Sequence, residues 1–236
     1  MLQSIKRLYG RKLSASDGEI GRIKDFYFDD PKWAVRYIVV DIGQWLQGRQ
    51  VLLSPHAIQD SLLESPAITV NLTREQIKDS PSVESHKPIS RQFEEEYYRY
   101  YGLPDYWQGE GLWGGTRGFP ILEARPKTIA PRADGPDANL RSTQAVSGYH
   151  IMASDGITGH VCDFMMEPKS WVVDRLVVKT GHRFTGKEVE IPVSLVERIS
   201  YKESTVFVKL TREAIEKSPE HHLISKESNA QPVPAL

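Results

Sequence analysis

The apolar positions of this chain fall in short runs with the two-residue period of half-buried strands. Ile68, Val70 and Leu72 alternate with Thr69 and Asn71, and Val206, Val208 and Leu210 repeat the pattern. Residues 35–42 and 173–180 are denser, apolar on parts of both faces, and read as central strands. Asp17-Gly18 and Asp155-Gly156 are hairpin-turn dipeptides, because Gly adopts positive φ without steric cost and Asp tolerates it better than most residues. One spacing breaks the period. Ile23 and Phe26 are three apart, as are Val161 and Phe164, so a regular strand cannot send both members of a pair to one face. The mismatch predicts a bulge near Asp25 and Asp163, each carboxylate accepting a backbone N–H that the ladder leaves over.

These features come in pairs. A shift of 138 residues lays 10–81 on 148–219 without a gap, Gly10 falling on Gly148 and Pro81 on Pro219. Identical pairs include Gly21/Gly159, Asp25/Asp163, Phe26/Phe164, Trp33/Trp171, Val39/Val177, Val40/Val178 and the run from Leu72 to Glu75 with that from Leu210 to Glu213. Such self-similarity at one fixed offset marks a tandem duplication. Each copy closes on Thr73-Arg74-Glu75-Gln76-Ile77 or Thr211-Arg212-Glu213-Ala214-Ile215, a threonine N-cap before an acidic first turn, and then a Ser-Pro stop. Gln76 completes a capping box and Ala214 cannot. The expected fold is mostly β: two tandem small antiparallel barrels over residues 1–82 and 142–222, each of five or six strands plus one helical turn. Trp33 and Trp171 follow turns containing Pro31 and Pro168, and read as barrel plugs or as rim aromatics.

Between the copies, 83–141 holds a predicted short helix over 90–101, with Ser90 as N-cap, Glu94, Glu95 and Glu96 early, and Gly102 then Pro104 ending it. Phe93, Tyr97, Tyr100 and Tyr101 would share one face. Tyr106, Trp107, Trp113 and Phe119 follow among glycines, and 123–140 reads as a flexible tether. The aromatics either pack on a barrel or form a partner surface, with Phe93, Tyr97, Tyr101, Trp107 and Trp113 as candidate contacts. Residues 223–236 read as a disordered tail.

Composition narrows the classes of function. Lys+Arg number 30 against 31 Asp+Glu, a net charge of −1, so net charge encodes no long-range pull toward nucleic acid or anionic membrane. No apolar run approaches the roughly 18–20 residues that span a bilayer. The N-terminus has Lys6, Arg7, Arg11 and Lys12 but no apolar core of a signal peptide, so a cytoplasmic location is expected. Cys162 is the single cysteine, which removes an intrachain disulfide and reads as a small core or edge residue. The seven histidines form no HExxH pattern and no zinc-ligand spacing; His221-His222 reads as a solvated pair. No phosphate-binding glycine loop occurs.

Four stretches, met in the same order in both copies, carry a family resemblance. They are Asp17-Gly18-Glu19-Ile20-Gly21-Arg22-Ile23-Lys24-Asp25-Phe26, Val35-Arg36-Tyr37-Ile38-Val39-Val40, Val51-Leu52-Leu53-Ser54-Pro55 and Leu72-Thr73-Arg74-Glu75, with 155–164, 173–178, 189–193 and 210–213 as their counterparts. Together they resemble the PRC-barrel family. That family includes the cytoplasmic part of the photosynthetic reaction-centre H subunit and the C-terminal domain of a ribosome-maturation factor. In both, the barrel contacts protein and has no catalytic residues, so the resemblance implies a binding module.

On these grounds no catalytic, cofactor-binding or metal-binding residue is expected, and Asp25 and Asp163, like Trp33 and Trp171, are assigned to maintenance of the repeat. The leading expectation is a non-enzymatic scaffold or adaptor whose partner is another protein or a second copy, rather than nucleic acid or a small molecule. Alternatives are an assembly factor associated with a photosynthetic complex or with ribosomal RNA, and an enzyme with a site between the barrels. Outward strand positions differ in charge between copies (Arg36 to Asp174, Asp41 to Lys179, Asn71 to Lys209), which suggests either complementary docking or two different partners.

Overall fold

The computed structural model describes residues 1–42, 49–59, 67–80, 91–103, 140–181 and 186–222. The first half runs β1 (Gln3–Ser4), a 3-10 turn at Lys6–Leu8, β2 (Lys12–Ala15), β3 (Gly18–Asp29), β4 (Ala34–Asp41), β5 (Gln50–Leu53), β6 (Ala67–Thr69) and α1 (Arg74–Lys78). Helix α2 (Arg91–Tyr101) follows. The second half runs β7 (Leu140–Ser142), α3 (Thr143–Val146), β8 (His150–Ala153), β9 (Gly156–Glu167), β10 (Val172–Lys179), β11 (Glu188–Pro192), β12 (Val196–Ser200), β13 (Thr205–Val208) and α4 (Arg212–Glu216). The fold is mostly β. Strand β7 starts at Leu140, inside the segment predicted to be linker.

The registers repeat at the same offset as the sequence. Lys12 lies opposite Arg22 on β2 and β3, and His150 opposite His160 on β8 and β9. Ile38 faces Phe26 and Leu53 across the β3–β4–β5 ladder, as Leu176 faces Phe164 and Ile191 across β9–β10–β11. The β3–β4 ladder skips Lys24 between Ile23 and Asp25, and the β9–β10 ladder skips Cys162 between Val161 and Asp163. These bulges restore Ile23 and Phe26, and Val161 and Phe164, to the buried face, where all four are at most 2% exposed. A second pair of bulges falls at Arg36 and Asp174.

All strands join one curled sheet, in the order β12-β13-β8-β9-β10-β4-β3-β2-β6, with β1 on β9, β7 on β3, β5 on β4 and β11 on β10. The halves meet where Val172 pairs with Ala34, flanked by two reciprocal bonds: Val35 N donates to Trp171 O (2.8 Å) and Val173 N donates to Trp33 O (2.7 Å). Both tryptophans sit at positive φ, 53° and 60°, a costly conformation for a bulky side chain that turns each carbonyl toward the opposite half. Packing holds them there. Trp33 stacks on Phe28 at 5.3 Å, Trp171 is buried, and Phe28 meets Phe164 at 5.7 Å across the junction. Buried apolar side chains from both halves form one continuous cluster.

Helix α1 has the full capping box between Thr73 and Gln76, whereas α4 has only the Thr211 cap to Ala214 N. At Gly21 a Cβ would collide with the carbonyl of Asp41, and at Gly159 with that of Lys179, so each glycine admits a backbone approach no side chain allows. Gly21→Ala is expected to cost about 2–3 kcal/mol of stability, the cost of forcing atoms into a filled space. Urea denaturation measures it, and an unchanged midpoint would contradict the close approach.

Candidate functional site: exchanged arms and an aromatic helix

The two bulges do more than correct the register. Each frees an aspartate that is buried (7% exposed for Asp25, 6% for Asp163) and accepts the N–H of the next residue: Phe26 N to Asp25 Oδ1 and Phe164 N to Asp163 Oδ1, both 2.7 Å. The remaining donors come from the opposite half. Asp163 accepts Ser4 Oγ (2.5 Å) and Lys6 N (2.9 Å). Asp25 accepts Ser142 Oγ (2.5 Å), Thr143 Oγ1 (2.9 Å) and Gln144 N (3.0 Å). Ser142 and Gln144 lie 138 residues beyond Ser4 and Lys6, so the two latches are equivalent and reciprocal.

The serines serve both ends of the latch. Ser4 Oγ donates to Asp163 and accepts Arg7 N (3.2 Å); Ser142 Oγ donates to Asp25 and accepts Ala145 N (2.9 Å). The Ser142 hydroxyl thus caps α3 while anchoring it, and that of Ser4 ties the 3-10 turn at Lys6–Leu8 to the latch. Outside the latch, β1 pairs with β9 through Gln3↔Met166 and Ser4↔Met165, and β7 pairs with β3 through Arg141↔Phe28 and Ser142↔Tyr27. Each half therefore lends its N-terminal arm to the sheet of the other. Tyr9 of the first arm closes the set, its hydroxyl 2.8 Å from Thr143 Oγ1, and burial pushes its phenol well above the usual value. Burial also raises the Asp25 carboxyl, against the pull of its hydrogen-bond donors, which favour the ionised form.

Helix α2 covers the outer face of β4 and β5. Tyr97 and Tyr98, each 1% exposed, pack on Tyr37, Val39 and Leu52, with Tyr101 and Leu103 at the edge. The Tyr37 ring meets Tyr97 edge-on at 5.3 Å, and its hydroxyl donates to Oε1 of the fully buried Glu94 (2.7 Å). Tyr97 is consequently an internal packing residue, a correction to its assignment as a partner contact; Tyr101 is half-buried. The side chain of Phe93, and all of Trp107 and Trp113, lie outside the described residues. The buried face is Glu94, Tyr97, Tyr98 and Tyr101, rotated from the predicted Phe93–Tyr97–Tyr100–Tyr101 stripe. Tyr100 points outward, its hydroxyl donating to Gln76 O (2.8 Å). The stripe is missed because it admits a glutamate, whose carboxylate is accommodated by the Tyr37 hydroxyl.

Only the first half has this platform. Where it carries Tyr37 and Leu52, the second carries Arg175 and Glu190, joined at 3.2 Å, with His221 Nδ1 2.8 Å from Glu190 Oε1. The ring of His221 is thereby buried rather than solvated. Arg36 is also corrected: it is fully buried, not outward, and grips Asp29 through Nε and Nη2, both at 3.1 Å. Cys162, the residue skipped at the second bulge, donates Sγ–H to Val177 O, and burial pushes its thiol up to about 12, so it remains protonated at neutral pH. Among the described residues, no three His, Cys, Asp or Glu side chains converge as a metal site, and none of their helices is long and apolar enough to cross a membrane.

Comparison with protein families matches residues 4–77 to the PRC-barrel domain. No curated protein matches the chain. The match begins at Ser4, so the matched stretch takes in most of the arm that the first half lends to the other.

Asp25→Asn places an amide among donors that need an acceptor, and is expected to cost about 3–5 kcal/mol, the range for breaking a buried charged network. A double-mutant cycle with Ser142→Ala should show coupling of about 1–2 kcal/mol across the halves, and strict additivity in urea denaturation would contradict the latch. Because the folded Asp25 carboxyl titrates above its unfolded value, its protonation adds stability as pH falls through the raised range. The gap between wild type and Asp25→Asn should therefore be wider in acid than at neutral pH. Tyr97→Ala should lower stability by about 3–5 kcal/mol, the cost of emptying a buried aromatic site.

Proposed function

We propose that residues 140–222 form a second unit of the PRC-barrel type, and that the chain is a non-enzymatic scaffold presenting one fixed, two-sided surface to another protein. The observation that carries this reading is the contrast between interior and exterior across the 138-residue offset. The interior pairs Phe26/Phe164, Val35/Val173 and Val40/Val178, the glycines at close approaches and both aspartate latches recur. The outer positions do not: Lys12/His150, Arg22/His160, Glu19/Ile157 and Asp41/Lys179 change charge or lose it. A frame that repeats inside and diverges outside offers two different contact faces.

Geometry supports one composite surface over two independent ones. The arms cross, the strands join at β4–β10 and the core is continuous, so the halves hold one relative orientation instead of swinging on a linker. Bivalent avidity through a flexible tether is then less relevant than simultaneous shape fit. The buried carboxylates support a structural role too: those of Asp25 and Asp163 are enclosed by the donors that latch the arms, and an acid–base group would need access to a substrate.

Affinity capture from the native host with the full-length chain tests the reading. A protein partner recovered by wild type and lost from a charge-altered surface variant with unchanged melting temperature is the expected result. A purified chain that turns over a small molecule, or that recovers no protein under crosslinking, would overturn it.

A further inference from the structure

Two histidines of the second half face each other. His150 on β8 is directly opposite His160 on β9. Val161 N donates to Tyr149 O (2.9 Å) immediately beside them, which makes this rung a non-hydrogen-bonded pair of the antiparallel ladder, the kind whose side chains lie closest. Cβ atoms on such a rung are about 4.5–5.5 Å apart, and two imidazoles at that spacing can reach one ion between them. The neighbours along the two strands, Tyr149, Ile151 and Val161, are buried, so the histidines, one residue out of phase, point away from the core. His150 is exposed and His160 half-buried.

The groups flanking the rung have their own partners. On β13, Thr205 lies beside His150, with its hydroxyl donating to Glu203 O (2.8 Å). On β10, Lys179 lies beside His160, and Glu188 of β11 is opposite Lys179, so the ammonium next to the imidazoles has a carboxylate across the ladder from it. Cys162, two residues along β9, keeps its Sγ–H on Val177 O and adds no third ligand. That agrees with the absence, among the described residues, of three converging ligand side chains.

The duplication supplies the comparison. At the same rung the first half has Lys12 opposite Arg22, in a ladder of the same register. The strands need only outward polar side chains there, and lysine and arginine meet that need without being able to ligate a metal as cations. Both members of the second-half rung are instead histidine, the commonest metal ligand. We infer that His150 and His160 form a surface site for one borderline divalent cation such as Zn(II) or Cu(II), held by two imidazoles with its remaining positions open to water or to a donor from another molecule. Hard cations such as Mg(II) and Ca(II) prefer oxygen ligands and are not expected there. Such a site goes beyond the scaffold reading and is independent of it.

The test is isothermal titration calorimetry of the full-length chain with zinc chloride at pH 7.5. One saturable site, unaffected by excess magnesium, is expected. His150→Gln and His160→Gln should each lower its affinity at least tenfold with the melting temperature kept, whereas His222→Gln, exposed and outside the rung, stays within twofold. Moving the rung is the stricter trial: Lys12→His/Arg22→His should raise the stoichiometry from one ion per chain to two. Absence of saturable binding, equal affinity in wild type and His150→Gln, or an equal loss in His222→Gln would overturn the site. So would a Lys12→His/Arg22→His chain that keeps its melting temperature and gains no ion. Should that double variant fail to fold, the two glutamine variants of the native rung decide alone. A protein partner captured by a chain that binds no zinc would sink the site and leave the scaffold standing; zinc bound by a chain that captures no protein would do the reverse.

Discussion

The structure depends on two buried aspartates, each spending its carboxylate on the arm of the other half. A carboxylate removed from water is tolerated only when donors surround it, and at Asp25 and Asp163 a large share of those donors lies across the junction. If either arm left, it would strand a charge inside the opposite sheet. That cost gives the arm exchange its direction, because the two- and three-residue backbone ladders of β1 and β7 would be satisfied by many registers and the hydrogen-bond geometry of the latch by one. The bulges create the opportunity: by skipping Lys24 and Cys162, they bring the following carboxylate inward next to backbone that the ladder has released.

The same logic accounts for the strained tryptophans. Trp33 and Trp171 hold a left-handed backbone conformation at the point where the halves touch, and each carbonyl accepts a hydrogen bond from the opposite half. A glycine would adopt that backbone with less strain, but would leave the junction without the ring that stacks on Phe28. Strand pairing at β4–β10 is a single residue pair long. The junction therefore relies on aromatic packing and on arms lent in both directions more than on a shared ladder.

Much of this was legible in the sequence because its causes are local. The three-residue spacing of Ile23 and Phe26 foretold a bulge with an inward carboxylate, and Thr73 with Gln76 foretold a capping box absent from the second copy. The PRC-barrel match over 4–77 agrees with the resemblance carried by the first copy. What could not be read was the donor's address. Leu2/Leu140 and Ser4/Ser142 are identical pairs just before the repeat as delimited at Gly10 and Gly148, and they are the one available trace of the arms. Identity at a fixed offset cannot say whether an arm folds back on its own half or crosses. The buried face of α2 was misplaced by one position for a different reason: hydrophobic periodicity counts Glu94 as polar, whereas the Tyr37 hydroxyl lets it be buried.

A duplicated fold offers an argument that a single copy cannot. A residue type at one position can serve stability, solubility or recognition, and one structure seldom separates them. Here the second half performs the folding task with different residues, so any feature found in the first half alone is released from that task. The apolar platform of Tyr37 and Leu52 passes through this filter and is accounted for, since α2 covers it. The buried Arg36–Asp29 pair passes and is accounted for as well, by a bulge whose second-half counterpart leaves Asp174 exposed.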